Sequence, residues 1–345
     1  MTGVAFPGSN QAQLQDFDIA SPEATEVRVA IKASGICGSD LHSYCSKRGL
    51  REPGGDRLLV AGHEPAGVVE AVGPNVTDFA VGDRVLVYHI CGCGNCHNCR
   101  LGYPVVCESS KRAAYGGERN GAHAPLLLVE QRSLIRIPEP LTFIDGAMIA
   151  CGVGTAYSAL LKTGVRPGQR LLVTGLGPVG LAVTLLAANM GVIVIGSDPN
   201  PARVEAARAH GLDQGFSATS FEEGLEQLSA LVGGEGVEAA IECSGAAEAR
   251  SLCLHGARTW GQIVFVGVSR GSLSFDPTKQ LIVKMLTVRG SWVSSQGEMQ
   301  ELAELLARRE LHPEVLVTHR CSLAEAPEAY RRFAAGESGK MVIVF

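Results

Sequence analysis

Arg170-Leu-Leu-Val-Thr-Gly175-Leu-Gly177-Pro178-Val-Gly180-Leu-Ala-Val-Thr-Leu-Leu-Ala-Ala-Asn-Met190 is the stretch on which the fold turns. Its opening, Arg170 to Thr174, is a short apolar run that predicts a buried strand, and Val179 to Met190 predicts a helix. Three glycines sit where the strand becomes the helix. Gly175 permits the tight turn, Gly177 removes a side chain where a pyrophosphate must come close, and Gly180 lets helix and strand pack closely. The helix start around Pro178 and Val179 then offers unpaired N–H groups and positive potential to phosphates. Eighteen positions beyond Gly180, after the predicted strand Val192-Ile-Val-Ile-Gly196, stands Asp198. A carboxylate there accepts hydrogen bonds from ribose hydroxyls and repels the extra phosphate of NADP, so NAD is the expected coenzyme.

Outward from this stretch the same rhythm continues. Pro201 to His210 predicts a helix, and Ala239 to Glu242 and Gln262 to Val266 predict further strands. Repeated β-α units with apolar strands imply a parallel sheet covered on both faces, so the fold class is α/β. Before Ile149 the pattern differs: short Val-rich segments such as Glu26 to Lys32 and Gly67 to Val72 alternate with Gly, Pro and Asp, which reads as a β-rich region with functional loops. The tail carries predicted helices at Glu298 to Arg309 and Glu325 to Ala335 and a closing strand, Met341 to Phe345.

At 345 residues the chain exceeds what one core usually organises. The expected division is 1–152, containing a cysteine lobe at 91–107, then 153–294, and a return segment 295–345 that completes the first domain. Apolar residues make up 46% and charged residues 19%, which suits a packed enzyme and excludes a disordered or fibrous chain. A net charge of −5 would repel a polyphosphate, so nucleic acid is not an expected partner. Met1 to Asn10 has no basic run followed by an apolar core, and the cytoplasm is the expected compartment. Leu171 to Gly196 is apolar enough to suggest a membrane span, but its glycines and Pro178 fit a strand, turn and helix better, so no membrane partner is expected.

The odd count of eleven cysteines does not suit a disulfide framework. Cys93, Cys96, Cys99 and Cys107, separated by two, two and seven residues, can close a tetrahedral zinc shell with no open position, which makes that metal structural. Cys37 lies in Gly35-Ile-Cys-Gly-Ser-Asp-Leu-His42, His63 in Gly62-His-Glu-Pro65, and Cys151 in Ala150-Cys-Gly-Val-Gly-Thr155. A Cys, a His and a Cys among polar neighbours, with one open position, are the pattern of a catalytic zinc. Cys45, Cys243, Cys253 and Cys321 read as small buried apolar residues, with Cys91 the exception because it adjoins the metal loop. His97 and His123 read as surface loop residues, and His89 either as facing the substrate cleft or as making a structural hydrogen bond. Trp260 and Trp292 are expected to pack in the nucleotide-binding domain or near a subunit contact.

Taken together, the CGSDxH loop, Gly62-His-Glu64, the four-cysteine lobe, the Cys151 segment, the glycine motif with Asp198 and the closing Gly336-Glu-Ser-Gly-Lys340 resemble the zinc-containing medium-chain alcohol dehydrogenases over essentially the whole chain, and are similar to their sorbitol and threonine dehydrogenase branches. The resemblance implies a GroES-like β-rich catalytic domain and a Rossmann domain with a doubly wound parallel sheet. It implies that Cys37, His63 and Cys151 bind catalytic zinc, that Glu64 is an alternative ligand, and that Asp40 holds the second nitrogen of His63. Ser39 and His42 would form the proton relay. Thr155 and Val179 would pack near the nicotinamide, Arg203 against the adenosine and Lys340 near the pyrophosphate. Two residues depart from the pattern: Gly38 replaces the basic residue of many simple alcohol dehydrogenases, and Cys151 is unlike the acidic third ligand of threonine and sorbitol dehydrogenases.

The expected function is NAD-linked oxidation of a secondary alcohol, polyol or related hydroxy compound to a ketone by a homodimer or homotetramer holding two zinc ions per subunit. The alternatives are a primary or aryl alcohol dehydrogenase, a carbonyl reductase of the same family, and, from a different class, a non-catalytic dinucleotide-binding protein.

Overall fold

The computed structural model describes residues 1–268, 272–336 and 339–345. Glu337 and Ser338 of the closing motif lie outside the described residues. The chain forms two compact units, one made of Met1–Gly154 with Ser295–Phe345 and the other of Thr155–Ser294.

In the second unit six parallel strands stand in the order Gln214–Phe216, Ile193–Ser197, Arg170–Thr174, Val237–Glu242, Ala257–Phe265, Thr287–Gly290. Four of the five residues of Arg170–Thr174 are buried, because this central strand is covered on both faces and has no solvent side to alternate with. Helix Pro178–Asn189 follows the glycine turn, and helices Pro201–Arg208, Phe221–Val232 and Ala247–Gly256 complete the cover. From Arg170–Thr174 the chain winds first to one side and later, through Val237–Glu242, to the other. The carboxyl ends of these two strands therefore flank the crevice in which such sheets bind ligands. Thr287–Gly290 is an edge strand. Near it, Trp260 and Trp292 are 66% and 57% exposed, so neither packs into the interior of its own unit.

The first unit is built on a seven-stranded sheet in which Lys340–Val344, Glu26–Ile36 and Glu64–Val72 are consecutive antiparallel neighbours. Its long strand Glu26–Ile36 alternates half-buried and buried residues at first, then is almost wholly buried toward Ile36 as it enters the centre of the unit. Helix Ala326–Ala334 lays Ala326, Ala329 and Tyr330 onto the cluster of Val4, Phe6, Ile36 and Tyr44. The segment Phe143–Thr163 is apolar and long enough to cross a bilayer, but 89% of its most apolar window is buried inside the protein. Leu171 to Gly196 is divided into a strand, a turn, a helix and a strand.

Candidate functional site

Sheet register assembles the first cluster. Gly35 pairs with Glu64 and Ile36 with Met341, so Cys37, His63 and Lys340 all stand at one end of three adjacent strands. Gly35 is a glycine for a steric reason: a Cβ there would lie 1.9 Å from a Glu64 carboxylate oxygen. Cys151 arrives from a different element, a π-turn at Ile149–Val153 that interrupts the helical segment. Such turns re-aim side chains and recur at functional sites.

The ligand atoms of Cys37, His63, Glu64 and Cys151 all lie within 4.8 Å of one another. Glu64 is completely buried, and its Oε2 accepts from the buried Lys340 ammonium, which also donates to the Ile36 carbonyl at 2.9 Å. Glu64 Oε1 is buried without a hydrogen-bond partner among the described residues. Burial raises the Glu64 carboxyl to about 7 against the opposing pull of Lys340. Two sulfurs and an imidazole nitrogen, with a carboxylate oxygen held back by an ammonium, are a donor set that fits zinc with one position open. Lys340 was expected near the pyrophosphate. Its ammonium pairs with Glu64, because a buried carboxylate without a counter-charge is costly.

Around the ligands, His63 Nδ1 donates to Asp40 Oδ1 at 2.8 Å, and Asp40 Oδ2 accepts from the Cys37 backbone N–H at 2.9 Å. Burial works against the Asp40 carboxylate, but the adjacent His63 more than offsets it and holds the group below its ordinary range. The Ser39 hydroxyl lies 3.3 Å from both Cys37 Sγ and His63 Nε2. His42 is exposed on the next turn, joined to Ser39 through its backbone N–H at 3.1 Å. Among the described residues no side-chain hydrogen bond links Ser39 to His42. His89 is buried with its ring 5.0 Å from that of His63, and its Nδ1 donates to the Ala150 carbonyl at 3.1 Å.

The second cluster is the loop of Cys93, Cys96, Cys99 and Cys107, whose sulfurs also lie within 4.8 Å of one another. Cys96 and Cys107 are 3.8 Å apart, the edge of a tetrahedron whose centre is about 2.3 Å from each sulfur. Backbone N–H groups of Asn95 and Cys96 donate to Cys93 Sγ and bring that thiol down to about 6. A Cβ on Gly92 would sit 2.5 Å from Cys99 Sγ, so the glycine makes room for the cluster. All eleven cysteines are unpaired thiols. Cys91 is buried beside the loop, where Arg132 approaches its sulfur at 3.3 Å, whereas Cys45 is exposed and not a core residue.

In the second unit each motif glycine has its own reason. Gly175 has φ +85° and a Cβ there would meet Ser244 at 2.8 Å; nothing lies within 4 Å of a Cβ on Gly177; and a Cβ on Gly180 would be 1.9 Å from the Gly175 carbonyl oxygen. Tight turn, open approach and close packing are thus divided among the three. Pro178 is the first residue of the following helix, and Val179 beside it is half-buried. Asp198 accepts from the backbone N–H groups of Leu176 at 2.8 Å and Asn200 at 2.9 Å, and Arg203 reaches to 3.7 Å. Gly175, Asp198 and Arg203 line one pocket with Thr219 and Ser244. Thr155 is buried at the start of Gly154–Thr163. A larger groove in the first unit, lined by Asp18, Glu52, Arg57 and Arg119, contains none of the residues of either motif.

Two residues of the first unit escaped the sequence reading. His123, expected on the surface, is completely buried, and Tyr330, equally buried, donates to Asp40 Oδ2 at 2.9 Å. The only local signal was Gly62, whose Cβ would lie 2.3 Å from His123 Nδ1.

Comparison with known proteins places the chain in a family. Residues 23–139 match the family model described as alcohol dehydrogenase GroES-like domain, and residues 178–308 match that described as zinc-binding dehydrogenase. An uncharacterized zinc-type alcohol dehydrogenase-like protein of Escherichia coli is 40% identical over 100% of this chain and 99% of its own. A sorbitol dehydrogenase of Halalkalibacterium halodurans is 30% identical over 97% and 96%. Among solved structures, an alcohol dehydrogenase from Thermus sp. ATN1 superposes with a TM-score of 0.91 at 31% identity, covering 100% of this chain and 99% of that one. The chain belongs to the zinc-containing medium-chain alcohol dehydrogenase family, with a GroES-like domain and a Rossmann domain. It is an oxidoreductase of the alcohol and polyol dehydrogenase group.

Proposed function

We propose that the protein is a zinc-dependent, NAD-linked dehydrogenase that oxidises a secondary alcohol, polyol or related hydroxy compound to a ketone. The observation that carries this reading is the convergence of Cys37, His63 and Cys151 within 4.8 Å, with Glu64 beside them tied to Lys340. Zinc held by these residues supplies a Lewis acid that makes a hydroxyl oxygen far more acidic, which is what hydride release to a nicotinamide requires.

The chain's own groups do the rest. Asp40 fixes the His63 ring through Nδ1. Ser39 Oγ, within 3.3 Å of two ligand atoms, would accept the substrate proton while giving up its own, and the exposed His42 one turn away would receive that proton through intervening water and pass it to solvent. Glu64, with one oxygen lacking a partner among the described residues, serves as an alternative ligand when Lys340 releases it. Gly175, Gly177, Pro178, Val179 and Gly180 receive the pyrophosphate, Asp198 and Arg203 the adenosine, and Thr155 packs near the nicotinamide. Asp198 makes NAD the preferred coenzyme. Cys93, Cys96, Cys99 and Cys107 hold a second, structural zinc, which gives two per subunit.

The edge strand Thr287–Gly290 and the exposed Trp260, Ile282, Val283 and Trp292 around it are a surface suited to pairing with a second copy, so the protein works as a homodimer or homotetramer. Eleven unpaired thiols suit the reducing cytoplasm. The test is NADH production over a panel of alcohols and polyols with wild type, Cys37→Ala and His63→Ala. Both variants are expected to lose turnover while still binding NAD; substantial residual activity in either rules out the metal assignment.

A further inference from the structure

We propose that His123 and Tyr330 are positioning residues for the metal-binding imidazole: by holding the Asp40 carboxylate through Oδ2, they keep its Oδ1 on His63 Nδ1, so that Nε2 is aimed as the donor atom. The inference rests on the metal-site reading above.

The argument follows the direction of each hydrogen bond along a buried chain. A carboxylate oxygen only accepts, so the Tyr330 hydroxyl donates to Asp40 Oδ2 at 2.9 Å. With its one proton spent, the phenol oxygen can only accept from His123 Nε2 at 2.7 Å, which puts the His123 proton on Nε2. His123 Nδ1 is then a lone pair, and it accepts from the Ser34 hydroxyl at 2.8 Å. On the other side, Asp40 Oδ1 accepts from His63 Nδ1 at 2.8 Å. Ser34, His123 and Tyr330 thus point their protons one way, toward an Asp40 carboxylate that carries none, and the carboxylate so held takes the His63 Nδ1 proton and leaves Nε2 as the donor atom.

Three further features support a built device. The path ends at Ser34, which is completely buried, so it leads no proton to solvent and differs in purpose from Ser39. Tyr330 cannot swing away: Phe6 meets its ring edge-on at 4.7 Å and Tyr44 stacks at 5.7 Å. Burial also keeps both relay rings neutral, pushing the His123 imidazole down to about 4 and the Tyr330 phenol well above its ordinary value. A charged ring in either place would alter the bond directions.

The test measures zinc released to a chromogenic chelator, together with the cobalt(II) absorption of the substituted protein, in wild type, Tyr330→Phe, His123→Leu and His123→Gln. A glutamine can donate toward Tyr330 and accept from Ser34, whereas a leucine can do neither. Tyr330→Phe and His123→Leu are expected to weaken zinc at the Cys37–His63–Cys151 site by about tenfold or more, as loss of outer partners of a ligating histidine does, and to leave the four-cysteine zinc in place. His123→Gln is expected to stay within about threefold of wild type. Wild-type zinc affinity in Tyr330→Phe and His123→Leu overturns the inference, as does an equal loss in His123→Gln and His123→Leu, which would mark mere packing. If Tyr330→Phe does not fold, the two His123 variants decide. A wild type that binds both zinc ions but oxidises no alcohol sinks the functional reading and leaves this inference standing.

Discussion

Asp40→Asn changes one atom type in a carboxylate that accepts three hydrogen bonds, from His63 Nδ1 on one oxygen and from the Cys37 N–H and the Tyr330 hydroxyl on the other. The amide can be placed in two ways. With its oxygen toward Cys37 and Tyr330, its NH2 faces His63, which must then accept on Nδ1 and carry its proton on Nε2, where the metal should bind. With the amide reversed, His63 keeps its tautomer, and the bonds from Tyr330 through His123 to Ser34 can all invert. The Cys37 N–H is then left facing another N–H. A buried donor without an acceptor costs about 1–3 kcal/mol, so the non-binding tautomer is favoured by that amount. Zinc must reverse this preference, and its affinity at this site should fall roughly five- to 150-fold. Zinc per subunit after equilibration against a graded chelator, with turnover measured on the same samples, is the assay. If Asp40→Asn keeps its zinc affinity at the Cys37–His63–Cys151 site and its turnover within twofold of wild type, the reasoning from tautomers is refuted.

Asp198→Ala should shift the ratio of NAD to NADP use by roughly tenfold or more, the worth of a charge-assisted hydrogen bond, and an unchanged ratio in parallel steady-state assays would remove Asp198 from coenzyme selection. Lys340→Met leaves a buried carboxylate without its counter-charge and should cost about 3–5 kcal/mol, with much of this recovered in the Lys340→Met/Glu64→Gln double variant; equal melting temperatures for single variant and wild type would show that the pair adds nothing. His312 donates to Asp145 at 2.7 Å, and that bond raises its imidazole above the ordinary 6.5. Its contribution to stability is therefore present in full below the unfolded value and is lost as pH rises through the raised native one. The melting-temperature advantage of wild type over His312→Gln should shrink from pH 6 toward pH 8, and a constant advantage would exclude the charged pair.

Much of the chemistry was legible in the sequence because it is local. Gly175, Gly177 and Gly180 announce a turn whose geometry depends only on neighbours in the chain, and four cysteines within fifteen residues announce their own cluster. Strand Arg170–Thr174 and helix Pro178–Asn189 follow from an apolar run and a glycine break, so their placement needed no tertiary information. Cys37, His63 and Cys151 could be nominated by residue type and polar surroundings, but only the register of Glu26–Ile36 with Glu64–Val72 and the π-turn at Ile149–Val153 bring them together.

What lay beyond the sequence was every feature whose partner is remote. The partner of the Lys340 ammonium is a carboxylate 276 positions away, which nothing around Lys340 in the sequence names. His123 looked like a loop residue until folding placed it against Tyr330, 207 positions along the chain. Composition and periodicity state which groups must be buried or turned; they carry no record of which distant group will satisfy a buried proton or charge. That choice is made only when the sheet register and helix packing bring the two together.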